Sequence, residues 1–171
     1  APHAEAFVQA ARSAPPALAP VEQQRAKDEV LLLFDALADA GAPFGYRVAS
    51  EMLRFIAHYV AFVDVEKGSE RFERSDPLRD AIDAQIAQKI LPKLSGARST
   101  VAPAVAALIA LCGRPAAAQI TSPAGGGRRV MEEIAGAREY ASQPHYPLSA
   151  SMLLRLERAL DANGFASFMD V

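Results

Sequence analysis

With 171 residues, 51% of them apolar, the chain can bury one sizeable core, and a formal net charge of −2 disfavours a free-standing nucleic-acid binder. Abundant alanine, 7% aromatic residues and no tryptophan favour helices over sheets. A single cysteine, Cys112, excludes an internal disulfide and suggests a reducing compartment; no apolar run approaches membrane-spanning length, so the expected location is cytoplasmic.

Residues 1–19 read as a flexible or short-helical leader, in which Ala4 to Arg12 could turn once or twice before Pro15-Pro16 breaks the helix. Residues 20–171 read as one helical domain. Its first helix starts near Pro20, which suits a first-turn position, and Val30, Leu31, Leu33, Phe34, Leu37 and Ala38 fall on one broad face. Gly41 is placed to end that helix in a left-handed cap. In the next helix Val48, Met52, Phe55, Ile56, Tyr59, Phe62 and Val63 gather on one side, while Arg47, Glu51, Arg54 and His58 line an edge of the other.

Ser75-Asp76-Pro77 is a strong helix start, with Asp76 as cap and Pro77 in the first turn. Leu78, Ile82, Ile86 and Ile90 then recur every four residues, and alanines widen the apolar surface almost all round, as in a central helix. Pro92 must end or kink it. Ser99 or Thr100 begins a further helix, Val101 to Leu111, with Pro103 in its first turn, and Val105, Leu108, Ile109 and Leu111 are core candidates. Residues 113–127, with Pro115, Pro123 and Gly125-Gly126-Gly127, read as a mobile loop, followed by a short helix from Arg128 to Tyr140. Ser149 caps a last helix whose inner face is Met152, Leu153, Leu156 and Leu160; Asn163-Gly164 ends it, and Phe165 to Met169 suits an edge strand. The expected fold is all-α, a bundle of about five to seven helices with a short extended C-terminal segment.

Catalytic patterns are missing. No GxxxxGK[ST] loop is present to cradle phosphates, and Gly125-Gly126-Gly127-Arg128-Arg129 lacks the lysine and hydroxyl. Phe62 to Glu66 reads as a helix end with solvated acids, and Asp80, Asp83 and Glu66 read as surface charge. His3, His58 and His145 are widely separated and Cys112 stands alone, so no metal-ligand spacing appears. No catalytic and no metal-binding residue is expected within the chain, which disfavours a small helical enzyme.

Arg47 is the anomaly. A helix start already carries unpaired N–H groups and partial positive charge, so a cation there works against the macrodipole unless an anion approaches from outside. The bland alternative is a surface pair with Glu51 one turn on. Lys89 is the second oddity: it falls within the apolar stripe, where it can snorkel to water or meet an acid or a phosphate.

Three segments carry a resemblance. They are Phe44-Gly45-Tyr46-Arg47 with Glu51 and Arg54-Phe55-Ile56; Asp83 to Gly96, with Gln85-Ile86, Gln88-Lys89-Ile90-Leu91-Pro92-Lys93-Leu94; and Tyr146-Pro147-Leu148-Ser149 with Gly164-Phe165 and Ser167-Phe168. In order and spacing they resemble the C-terminal helical lid of McrB-like AAA+ NTPases, the motors of modification-dependent restriction systems. The resemblance runs from about Val30 to Phe168 and is poor between Leu111 and Gln143. It implies that Arg47 is a sensor-2-like arginine reaching toward a nucleotide's outer phosphates, with Glu51, Arg54 and Lys89 in support. It further implies a parent protein with an upstream nucleotide-binding core using ATP or GTP with magnesium. Neighbouring subunits of a ring, an McrC-like nuclease subunit, and DNA met only through the assembled complex are the implied partners. The lid would hydrolyse nothing alone. A self-contained helical adaptor that binds a protein partner is the alternative from another class.

Overall fold

The computed structural model describes residues 14–65, 76–114 and 144–168. They form five α-helices: α1 (Pro20–Asp39), α2 (Tyr46–Val65), α3 (Pro77–Gln85), α4 (Arg98–Gly113) and α5 (Pro147–Asn163). A two-stranded antiparallel sheet is added by β1 (Gly96–Ala97) and β2 (Phe165–Ala166), with Gly96 opposite Ala166 and Ala97 opposite Phe165. The fold is therefore the expected all-α bundle with a short extended C-terminal piece. The helices Ala4 to Arg12 and Arg128 to Tyr140 lie outside the described residues.

Helix α3 is the middle of the bundle. It packs on α2 along one side and on α5 along another, while α4 lies between α5 and α1. Met52 and Ile56 of α2, Ile82 and Ile86 of the central helix, Leu108 and Leu111 of α4, and Leu153 and Leu156 of α5 are all fully buried. Each such side chain contributes roughly 1.5–3 kcal/mol by leaving water.

The helix boundaries obey local chemistry. Gly41 takes φ 75° just past α1, its N–H donates to the Ala38 carbonyl at 3.0 Å, and the Ala42 N–H donates to Leu37 at 2.8 Å. That pair of bonds closes the last turn, and only the left-handed glycine permits it cheaply. Ala19 has no side-chain acceptor to offer α1, but the Glu22 carboxylate accepts its N–H at 3.3 Å. Asp76 caps α3 by accepting the Arg79 N–H at 3.2 Å, with Pro77 in the first turn. Gly164, at φ 69°, ends α5.

Pro92 acts before its own position. Lacking an N–H, it cannot serve the carbonyl four residues back, and its ring crowds that turn. The helix answers by widening: Ile86–Ile90 form a π turn, in which the Leu91 N–H reaches the Ile86 carbonyl, and Leu91–Lys93 finish as a 3-10 turn.

Several expectations are corrected. In α1 the core stripe is Ala26, Val30, Leu33 and Leu37 with Leu32 and Ala36, whereas Leu31, Phe34 and Ala38 face outward. In α2, Phe62 is exposed and Val60 takes its place in the core. Helix α4 begins at Arg98, slightly before the expected Ser99 or Thr100, because the β1–β2 pairing delivers the chain there and the Arg98 N–H donates to the Gly164 carbonyl at 2.8 Å. Pro103 therefore sits in the second turn, where it deprives the carbonyl of exposed Ser99 of a donor; water can meet that carbonyl. Gly113 still belongs to α4 and Arg114 is buried, so the start of the expected loop is fixed.

The largest correction concerns Asp83 and Ser149. Asp83 is not a surface charge but is 5% exposed. Its two carboxylate oxygens accept the Leu148 and Ser149 N–H groups, each at 2.8 Å, and the Ser149 hydroxyl donates to it as well. Helix α5 starts at Pro147, so Ser149 lies inside its first turn, and the cap comes from α3. A carboxylate there satisfies orphan donors and complements the dipole. Asp83→Ala is expected to cost about 2–3 kcal/mol in urea denaturation, because two N–H groups and a hydroxyl lose their acceptor in the core. Ser149→Ala should cost about 1 kcal/mol, since both backbone bonds survive.

Candidate functional site

The closing turn of α1 and the burial of Phe44, packed edge-on against Phe34 with ring centroids 5.5 Å apart, fix where α2 begins. The Gly45 carbonyl accepts the Val48 N–H at 3.0 Å, so Arg47 occupies the first turn with its side chain 91% exposed. One turn on, Glu51 Oε1 accepts from Arg47 Nε at 2.9 Å. The two terminal guanidinium nitrogens have no bond to the described residues. They form the end-on edge of the fork that matches two oxygens of a phosphate or carboxylate.

Lys89 arrives from the π turn. Its neighbours Ile86 and Ile90 are buried, and the ammonium emerges to donate to Glu51 Oε2 at 2.8 Å. Both cations thus share one carboxylate, one on each oxygen. The Lys89 hydrogen bond, then that of Arg47, hold the Glu51 carboxyl at about 2, well below the usual carboxylate range. Glu51 therefore stays ionised at every pH near neutral. Within this trio, two cations against one anion leave an excess of one positive charge, reachable from solvent. Three of the four expected site residues, Arg47, Glu51 and Lys89, are brought together from elements 38 residues apart in sequence. Arg54 is half-buried, three positions beyond Glu51 on α2. His58 is half-buried further along that helix, and Cys112 is fully buried, where desolvation raises its thiol far above the ordinary value. Cys112 is a core residue, not a nucleophile. Among the described residues no group of three or more His, Cys, Asp or Glu could hold a metal ion. Nor is any described helix long and apolar enough to cross a membrane.

A second polar cluster was not foreseen from the sequence. Glu29 of α1 receives Arg114 Nη2 on both oxygens at 2.7 Å and the Tyr146 hydroxyl at 2.7 Å. Arg114 also donates to the Leu111 carbonyl at 2.8 Å, which satisfies the C-terminal end of α4, and its guanidinium lies over the Tyr146 ring, 5.0 Å from the centroid. His145 Nε2 stands 3.8 Å from Glu29. The side chains of Arg114 and His145 are 2% and 6% exposed, so this ion pair is structural rather than substrate-facing. The chain on either side of residues 115–143 is clasped here, with the His145 N–H on the Arg114 carbonyl at 2.8 Å and the Tyr146 N–H on that of Cys112 at 3.0 Å. A faint signal existed: Glu29 shares the helical stripe of Ala26 and Leu33, an unusual place for an acid.

Two measurements separate the clusters. Glu29→Ala strands a buried guanidinium and is expected to cost about 3–5 kcal/mol in denaturant unfolding, whereas truncating exposed Arg47 should leave the midpoint nearly unchanged. Burial first, and then the Arg114 charge, depress His145 to about 4. The unfolded histidine takes its proton near 6.5, so between those values the unfolded chain binds the extra proton and stability falls as pH falls. The melting temperature should therefore drop as pH is lowered from about 6.5 to about 4, and His145→Gln should flatten that limb.

No curated protein and no solved structure matches the chain. One family match covers residues 4–165, almost the whole of it, and so spans the described helices and both polar clusters. The chain belongs to the family described as "Domain of unknown function (DUF8727)".

Proposed function

We propose that this domain is the helical lid of an McrB-like AAA+ NTPase, and that Arg47 meets the outer phosphates of a nucleotide bound by a separate core. The observation that carries the reading is the state of Arg47. Its Nε is anchored to Glu51 while its terminal nitrogens have no partner among the described residues, on a side chain 91% exposed. The second support is convergence: Arg47 and Lys89 belong to two different resembling segments, and both meet on Glu51. In this role the chain performs no chemistry alone. The core supplies the phosphate-cradling loop and the magnesium with ATP or GTP. Lid closure brings Arg47 to developing phosphoryl charge, where a preorganised cation stabilises the transition state and couples nucleotide state to domain angle. Ring neighbours, a nuclease partner and DNA enter only through the assembled motor.

The reading has a direct test. Arg47→Ala in the full-length protein is expected to reduce NTP turnover about 10²-fold with the fold intact. Unchanged turnover and unchanged nucleotide affinity would sink it. The adaptor reading draws on a separate observation, the outward Leu31 and Phe34 of α1, which are 55% and 37% exposed. A P-loop encoded upstream in the same reading frame favours the lid; a start codon near Ala1 favours the adaptor.

A further inference from the structure

We infer that Lys89 is a positioning residue: by occupying Glu51 Oε2 it keeps the Arg47 fork end-on to solvent, in the orientation that receives a phosphate. This rests on the anion-facing reading of Arg47.

The two cations compete for a single carboxylate. An arginine beside an unshared carboxylate favours a two-point pair, with two N–H groups on two oxygens. Here, among the described residues, Arg47 makes one hydrogen bond, Nε on Oε1 at 2.9 Å, and Oε2 is held by Lys89 Nζ at 2.8 Å. Remove the ammonium, and Oε2 becomes free for a terminal nitrogen of Arg47. The guanidinium then turns side-on to its own helix, one of its terminal nitrogens is consumed, and the local charge falls from one positive excess to zero. Lys89 therefore does two things with one contact. It blocks the self-pairing that would neutralise Arg47, and it supplies the second positive charge of the patch.

The backbone explains why Lys89 is there. Lys89 lies within the π turn Ile86–Ile90, beside buried Ile86 and Ile90, and its head reaches Glu51 of α2. Pro92 causes the widening, so its effect reaches the site without contact.

The test uses the whole chain with Lys89→Met, which keeps the stem and removes the charge, and Lys89→Arg, which restores it. Guanidinium NMR of Arg47 and a titration with inorganic tripolyphosphate are read together. In Lys89→Met, rotation about the Arg47 terminal C–N bonds should slow as the two-point pair forms, and the tripolyphosphate response should weaken about 3- to 10-fold. Lys89→Arg should recover both. A response that needs Arg47, shown by its loss in Arg47→Ala, but ignores Lys89→Met overturns the positioning role alone. A response that Arg47→Ala leaves unchanged, or no response in the parent chain, overturns the anion reading and the positioning role with it.

Discussion

The buried carboxylate of Asp83 is the interaction from which the rest of the packing is organised. It belongs to the central helix yet terminates another helix, accepting two N–H groups and a hydroxyl from the start of α5. With α5 seated, Gly164 closes it and sends β2 back along β1. That pairing determines where α4 begins, since the Arg98 N–H finds the Gly164 carbonyl. The length of α4 then places Arg114 beneath α1, where Glu29 neutralises it. Each link satisfies a polar group that would otherwise be stranded inside, so the apolar core and the buried charges support one register.

The exposed cluster on Glu51 depends on a different constraint, a proline. Pro92 removes one backbone donor and the helix widens upstream to accommodate it. Widened turns often accompany functional positions because they re-aim a side chain without unfolding the element. Here the side chain within the widened turn that meets another element is Lys89. The two clusters are alike in composition, each with one acid serving more than one donor, and opposite in role. Around Glu29 burial makes the pairing indispensable, whereas around Glu51 solvent leaves the partners exchangeable.

Much of the fold was legible. Four-residue recurrence of Leu78, Ile82, Ile86 and Ile90 marked a central helix, and Asp76-Pro77, Gly41 and Asn163-Gly164 marked boundaries, because these signals act within one or two turns. Leu31 and Phe34 were misplaced because periodicity defines a stripe but not its width; residues 26, 30, 33 and 37 already fill the seam. Asp83, Glu29 and Arg114 were invisible as partners, because their long-range bonds span 65 to 117 residues. Yet an acid within a helix apolar nearly all round has nowhere to go but inside, and Asp83 could have been found by that argument. At the site, Arg47, Glu51 and Lys89 were each singled out. Their meeting on one carboxylate required knowing how α2 and α3 pack.

The clasp beside Glu29 joins two stretches of chain that are distant in sequence. Arg114 and His145 meet through a backbone hydrogen bond, so the end of α4 and the approach to α5 are tied directly to each other. The register between α4 and α5 is thus set by bonds among Cys112, Arg114, His145 and Tyr146 themselves, and the Glu29 carboxylate of α1 ties the same two ends together a second time.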